Sequence, residues 1–565
     1  MPTEAAAQSA VPSAGCRFFA KSIPGVFNAI CSNLRQTDFV KLQEVLRSNK
    51  RCRSRWLSLA FSMQHAGDLF KVFTTKEALR WALKQGISVK NAEMQLTHSQ
   101  SKDGRTSFMQ CCQDGDMDII RAMVEKQKVD VNQIDNDSWS PLHWAAAVNC
   151  NLSVVMYLCD QGATVDARDS SLKTPLIWAS VHGALAMVKF LCETGAADVE
   201  ARDANDMRPL HWAASNDHHD VVRYLVEEQG ADMEARDAEG NTPLQRAVGR
   251  GDLGKMFIEF GCAIESTNVK LETALHIAVR DGNFPLVELL VDAGSDVEIK
   301  NYRGSTVLHV AACCGDLKTV RFLIDHGAKI ECEDERRTLL HWAAINGHLF
   351  VVKFLCEKRC CDIEAIDNYA MTALLWAASN EYLTVVKCLV DHGAFMEARD
   401  PRAKTALHWA CRWGSTDIVK FLCREGADIE AVDDKLRTPI HYAAIYNHPD
   451  VVEYLVSLKA NAEKQDRDLR TALHWATAGG HIPLMKHLVK HNADINVADV
   501  CGWTPLHCAA AGFHEVVVKF LVDSGASTTA LDNEGKTPKQ VLTAFRDQQQ
   551  VKIRNRYREL AQYLK

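Results

Sequence analysis

The sequence predicts an all-α solenoid of stacked helix pairs, and three observations carry that prediction. The first is spacing: Thr405, Thr438, Thr471, Thr504 and Thr537 open similar segments 33 residues apart. The second is the pattern these segments share. In Thr438–Asp466, Thr438 and Pro439 suit a helix start, because a hydroxyl can cap free N–H groups and proline fits the first helical position. Ile440, Ala443 and Ala444 then form a small apolar face, Asn447 and His448 interrupt it, and Val451, Val452, Tyr454, Leu455 and Val456 make a second apolar stripe. The third observation is that such a helix–turn–helix is too thin to bury its own apolar surface. It needs copies on either side.

Upstream copies open at Thr106, Ser140, Thr174, Arg208, Thr242, Thr273, Thr306, Thr338 and Thr372. T-P-L-H is complete at Thr504–His507, and T-A-L-H stands at Thr273, Thr405 and Thr471. With a period of 33, these motifs make the chain resemble the ankyrin-repeat family over roughly residues 103–537. The resemblance implies about 13 repeats of antiparallel helices with protruding turn or hairpin tips, a fold used mostly to bind other proteins.

Composition agrees. A chain of 565 residues without a Pro/Gly/Ser-rich linker in its middle suits an array in which each repeat touches only its neighbours. It has no apolar run long enough to predict a transmembrane segment. Met1–Gly15 lacks the basic start and apolar core of a secretory signal. Twenty cysteines without framework spacing, including adjacent pairs such as Cys313 and Cys314, point to a reducing cytoplasmic or nuclear setting. Charge is uneven: residues 16–60 carry +7 and residues 536–565 carry +6. With Glu4 the only charge before residue 16 and −7 overall, residues 61–535 carry −19. An acidic body disfavours binding of nucleic acid or membrane by the whole molecule and leaves only the basic ends 16–60 and 536–565 for such contacts.

In chain order, residues 1–21 are small, polar and aperiodic and are expected to form a disordered tail. Residues 22–102 keep a helix-pair rhythm without the T-P-L-H start. They read as degenerate capping repeats, with a separate small helical domain as the alternative. Residues 103–535 form the repeat array. Residues 536–565 keep the Thr537-Pro538 start and end in a basic amphipathic helix, which suits a C-terminal capping repeat; a membrane-surface helix is the rival reading.

Within the array, nine histidines occupy the T-x-L-H slot: His143, His211, His276, His309, His341, His408, His441, His474 and His507. Slots one repeat apart lie about 8–10 Å from each other, too far for shared metal ligation. Each ring is instead expected to tie its turn to the neighbouring backbone, as the family's histidine does. Trp144, Trp178, Trp212, Trp342, Trp376, Trp409 and Trp475 follow in the next slot and read as core filling.

No catalytic set stands out. Gly249–Lys255 has the spacing of a phosphate-binding loop, but Met256 replaces the closing Ser/Thr and no strand precedes it. Asp217-His-His-Asp220 resembles the D-H-H-C of protein acyltransferases, without the cysteine. The chain is therefore expected not to be an enzyme and to need no cofactor, metal or small-molecule substrate.

Departures from the repeat are more informative. The spacing falls to 31 between Thr242 and Thr273, and Gly254 interrupts the outer helix there, so that junction is expected to be the weakest or to bend. Lys358–Cys361 lacks the glycine that usually closes an outer helix. Trp413 and Tyr446 stand at the groove-facing end of consecutive inner helices, where other repeats carry Asn216, Asp281, Asn346, Asn380 or Gly479. Exposed aromatics one repeat apart suggest a protein-binding patch. The residues before the opening threonines, among them Arg337, Lys404, Arg437, Arg470 and Trp503, should line one edge and form a second candidate contact row, with turn aspartates such as Asp334, Asp400, Asp433, Asp466 and Asp499 close by. The expected function is a protein-interaction scaffold or adaptor. Its alternatives are a regulatory or inhibitory subunit of an enzyme or transcription factor, and a peripheral tether working through the basic ends.

Overall fold

The computed structural model describes residues 103–249, 252–330, 337–358, 361–548 and Leu564. The readings for residues 1–102, for Asp334, for Arg359 and Cys360, and for the terminal helix from residue 551 lie outside them. The described residues form 27 helices and no extended strand. They divide into two units, the boundary falling between Val269 and Lys270, inside the shortened repeat. The described part of the first unit holds five helix pairs, from Ser107–Asp114 to Leu253–Glu259. The second holds eight pairs, from Ala274–Arg280 to Glu515–Asp523, and then the helix Pro538–Gln548. The thirteen pairs among the described residues fit the count of about 13 repeats read from the sequence.

Within a unit, each inner helix packs on its own outer helix and on the next inner helix. Ala406–Trp413, for instance, touches both Thr416–Arg424 and Pro439–Ile445. The apolar stripes are the core: Leu407, Ala410 and Cys411 of one inner helix and Ile440, Ala443 and Ala444 of the next are buried. Alanine at these positions lets neighbouring helices approach closely, while Val, Ile and Leu of the outer helices fill the layer behind.

Three recurring polar ties hold the array, two between consecutive repeats and one within each turn, and each has a sequence address. The backbone N–H of Thr438 donates to Nδ1 of His441 at 3.1 Å, which leaves the ring's proton on Nε2, where it donates to the Arg470 carbonyl of the next repeat at 3.1 Å. His143, His211, His341, His408, His474 and His507 reach the equivalent carbonyls at 2.9–3.1 Å. The expectation for these rings holds: they are turn-to-backbone ties. At the shortened repeat Gln245 does the same work, its Oε1 accepting from Thr242 N–H at 2.9 Å and its Nε2 donating to Ser266 O at 2.9 Å.

The second tie is the turn aspartate. Asp466 Oδ1 accepts the N–H groups of Asp468 and Arg470, both at 2.9 Å, and Oδ2 accepts Trp475 Nε1–H at 3.1 Å. The tryptophans are thus more than filler, since Trp144, Trp178, Trp212 and Trp376 donate in the same way to Asp135, Asp169, Asp203 and Asp367. The third tie runs along the outer edge, where Glu364, Glu397, Glu430 and Glu463 accept the N–H of Phe395, Asp428, Asn461 and Asp494 in the following repeats at 2.6–2.9 Å.

Candidate protein-binding surface

The second unit carries the aromatic patch. The inner helix Ala406–Trp413 ends at Gly414, whose φ of 75° terminates it in the left-handed conformation. A side chain at Gly414 would collide with the His448 ring, which lies against it and whose Nε2 donates to the Arg412 carbonyl at 3.0 Å. That fixes the end of the helix and so the direction of Trp413. In the equivalent position of other repeats, Asn216 donates to Val181 O at 3.1 Å and Asn380 to Ile345 O at 2.9 Å, which closes each helix end onto its neighbour. Trp413 and Tyr446 make no such bond, and at the Arg412 carbonyl His448 stands in. The Trp413 and Tyr446 rings stay 49% and 43% exposed.

The two rings are held from one side only. Tyr446 stacks on Tyr442 with centroids 6.5 Å apart and planes 9° from parallel. The Arg412 guanidinium lies 5.0 Å from the Tyr446 ring centre, 5.6 Å from Trp413 and 5.3 Å from Trp409. One cation therefore bridges three aromatic rings from two consecutive repeats, a cation–π arrangement that stiffens all of them.

The candidate basic row is placed differently. Arg337 Nε donates to Asp367 at 3.1 Å, Arg470 Nε to Asp499 at 3.4 Å, and Arg437 pairs with Asp466 at 3.6 Å, the three carboxylates being buried. Arg337 also lies over Trp342 and Trp376, and Arg437 and Arg470 over Trp475. Burial would push the Asp367 carboxyl up, yet the N–H groups of Met371 and Tyr369 together with Arg337 and Trp376 hold it below the usual carboxylate range. Lys404 is 3% exposed, with its ammonium 4.6 Å from the Trp409 ring and 5.2 Å from Tyr442, and burial lowers its pKa. Trp503 is partly buried at the same slot. These residues bind repeat to repeat, and their charge is committed inside the fold.

Sequence reasoning missed Arg412. It sits three residues after a slot tryptophan, in a position the repeat leaves variable, and only the stacking of the next repeat brings Tyr446 to it. The histidines of the acyltransferase-like stretch are structural: His218 Nε2 donates to Val181 O at 2.9 Å, and His219 Nδ1 lies 3.2 Å from Asp217 O. Among the described residues, no cluster of three or more His, Cys, Asp or Glu is disposed to hold a metal ion, and no helix is long and apolar enough to cross a membrane.

The sequence model of the family described as ankyrin repeats (3 copies) matches the chain in overlapping segments from residue 74 to residue 549. Over 60 residues the chain is 45% identical to alpha-latrocrustotoxin-Lt1a of Latrodectus tredecimguttatus, covering 10% of this chain and 4% of the toxin. Over 97 residues it is 33% identical to palmitoyltransferase AKR1 of Saccharomyces cerevisiae, covering 16% of this chain and 12% of that protein. The chain thus spans a small fraction of the length of either relative.

Proposed function

Because the chain belongs to the ankyrin-repeat family, we propose that it is a non-catalytic protein-interaction scaffold or adaptor whose working surface is the groove face of the second unit. The observation that carries this reading is the pair Trp413 and Tyr446. Two large rings are left exposed on consecutive inner helices, where other repeats use an asparagine to close the helix end. Rigid aromatics that present wide apolar area at little entropic cost are the side chains that dominate protein interfaces. The short identity with a palmitoyltransferase adds no catalytic reading, since the His218 ring is spent on a backbone carbonyl and Asp220 stands where an acyltransferase motif needs cysteine. A reducing, cytoplasmic setting fits the cysteines, fifteen of which are free thiols among the described residues.

The test is affinity capture from a native lysate with the full chain and with a Trp413→Ala, Tyr446→Ala variant, alongside thermal unfolding of both. Specific partners should be lost from the variant while its Tm stays within a few degrees. An unchanged partner set at unchanged stability sinks the groove assignment.

A further inference from the structure

The repeat that opens at Thr405 departs from its neighbours in charge balance as well as in shape. In five described repeats the slot tryptophan donates to the aspartate nine residues before it. Trp409 has Asp400 at that spacing, yet its Nε1–H is buried without an acceptor. Arg412, unlike Arg337, Arg437 and Arg470, has no carboxylate partner among the described residues, and its Nε, like that of Arg437, is buried without a hydrogen-bond partner. Lys404, on the same tryptophan, has aromatic faces in place of a salt bridge. Asp433, the carboxylate that corresponds to the partners of Arg337 and Arg437, receives the Tyr442 hydroxyl at 2.7 Å instead.

The surroundings lean the same way. Arg402, Lys435 and Arg467 are exposed on three consecutive turn tips. Facing them, Asp434 is exposed and Asp468 is paired with Arg470 at 3.8 Å. On a body that is acidic as a whole, this stretch carries a local surplus of cations and of hydrogen-bond donors. A partly buried guanidinium that lies against three rings, with its Nε enclosed and no anion beside it, is left incompletely paired.

We propose that this repeat is the receptor for an acidic side chain, Asp or Glu, on an extended segment of a partner protein. The carboxylate sits on the Arg412 guanidinium, and the neighbouring apolar side chain of the segment lies on the Trp413 and Tyr446 rings. Three features favour a carboxylate. The guanidinium fork matches its planar geometry in a bidentate pair. The rings already hold the fork still, so little side-chain entropy is lost on binding. A doubly charged phosphate would ask for a second cation in direct contact, and the ammonium of Lys404 is closed off in the interior. This inference rests on the reading of the chain as a protein-binding solenoid and names what its groove takes.

The experiment is selection of a random displayed peptide library on the full chain, followed by anisotropy measurements on synthetic copies of the enriched peptides. Enriched sequences should place an Asp or Glu beside an aromatic or aliphatic residue. Arg412→Gln should weaken them by about tenfold or more, the loss of one charge-assisted pair. Arg424→Gln, the same charge change on the exposed outer face of the same repeat, should leave binding unchanged, and both variants should unfold cooperatively. Replacing the peptide's acidic residue by its amide should match the Arg412→Gln loss. Enrichment of no peptide, or of peptides indifferent to Arg412→Gln, overturns the proposal. So does a phosphoserine copy that binds about tenfold more tightly than the carboxylate one, which would reassign the site to phosphate. The broader protein-binding reading is judged separately, by the lysate capture.

Discussion

At the scale of single residues, the repeat's signature side chains act through hydrogen-bond geometry that can be tested by exchange. His441 needs an acceptor at Nδ1 for Thr438 N–H and a donor at Nε2 for Arg470 O. Gln245 shows that an amide supplies both, to Thr242 N–H and Ser266 O. His441→Gln should therefore lose less stability than His441→Ala. The alanine variant leaves the buried Thr438 N–H unpaired and the Arg470 carbonyl with only the Asp466 N–H, and should cost about 1–3 kcal/mol, the glutamine variant about half of that or less. Urea unfolding of the two variants decides it, and equal losses would mean that the ring acts by packing alone. The histidine's role was legible from the T-x-L-H pattern because its partners lie at nearly fixed offsets, three residues before it and 29 or 30 after, in the repeats where it is tied. Arg412 was not legible, because its partners Trp413 and Tyr446 sit at variable positions on different repeats. The basic row was legible only as a row. Which way Arg337, Arg437 and Arg470 turn depends on buried aspartates about 30 residues away.

At the scale of the element, the shortened repeat is the exception that the spacing announced. Its inner helix is five residues long, Pro243–Ala247, where most others have seven or eight, and its outer helix Leu253–Glu259 contains the buried Gly254. A shorter inner helix offers fewer apolar residues to its neighbours, and an internal glycine costs about 1 kcal/mol relative to alanine. Arg246 takes the tryptophan slot and meets Asp237 at 2.6 Å, replacing ring burial by an ion pair between a partly exposed guanidinium and a buried carboxylate. Amides of Leu253–Glu259 should accordingly exchange with deuterium well before those of Thr416–Arg424, by a factor of about ten or more in protection. Equal protection of the two outer helices would show that the ion pair makes good the lost packing. Gly254→Ala tests the same point in reverse: the glycine is buried, so gain in helix propensity and crowding oppose each other, and slower exchange would show that propensity outweighs crowding.

At the scale of the whole molecule, the repeated histidine makes stability a function of pH, because one titrating group recurs along the chain. All nine slot histidines have pKa values lowered first by burial, and His309 and His408 fall to about 4. The unfolded chain takes up protons near the ordinary value of 6.5, while the folded chain does so only at lower pH. Stability from these groups is thus complete above about pH 6.5 and declines as pH falls from there toward 4. At pH 5, a histidine lowered to about 4 contributes a loss of about 2 kcal/mol, and the shifts of the other seven add to it. Asp367 has the opposite sign of charge and a different window: its depressed carboxyl helps at all pH above the ordinary carboxylate range and is lost only below it. The two windows separate the contributions. Tm should fall steadily between pH 7.5 and pH 5 and fall again below pH 4, and in the upper window His408→Gln should lessen the slope by removing one titrating ring. A Tm that is flat from pH 7.5 to 5 would mean that the folded rings accept protons as readily as the unfolded ones. The bond pattern argues against that, because a proton on Nδ1 would face the Thr405 N–H at the site of its present acceptor.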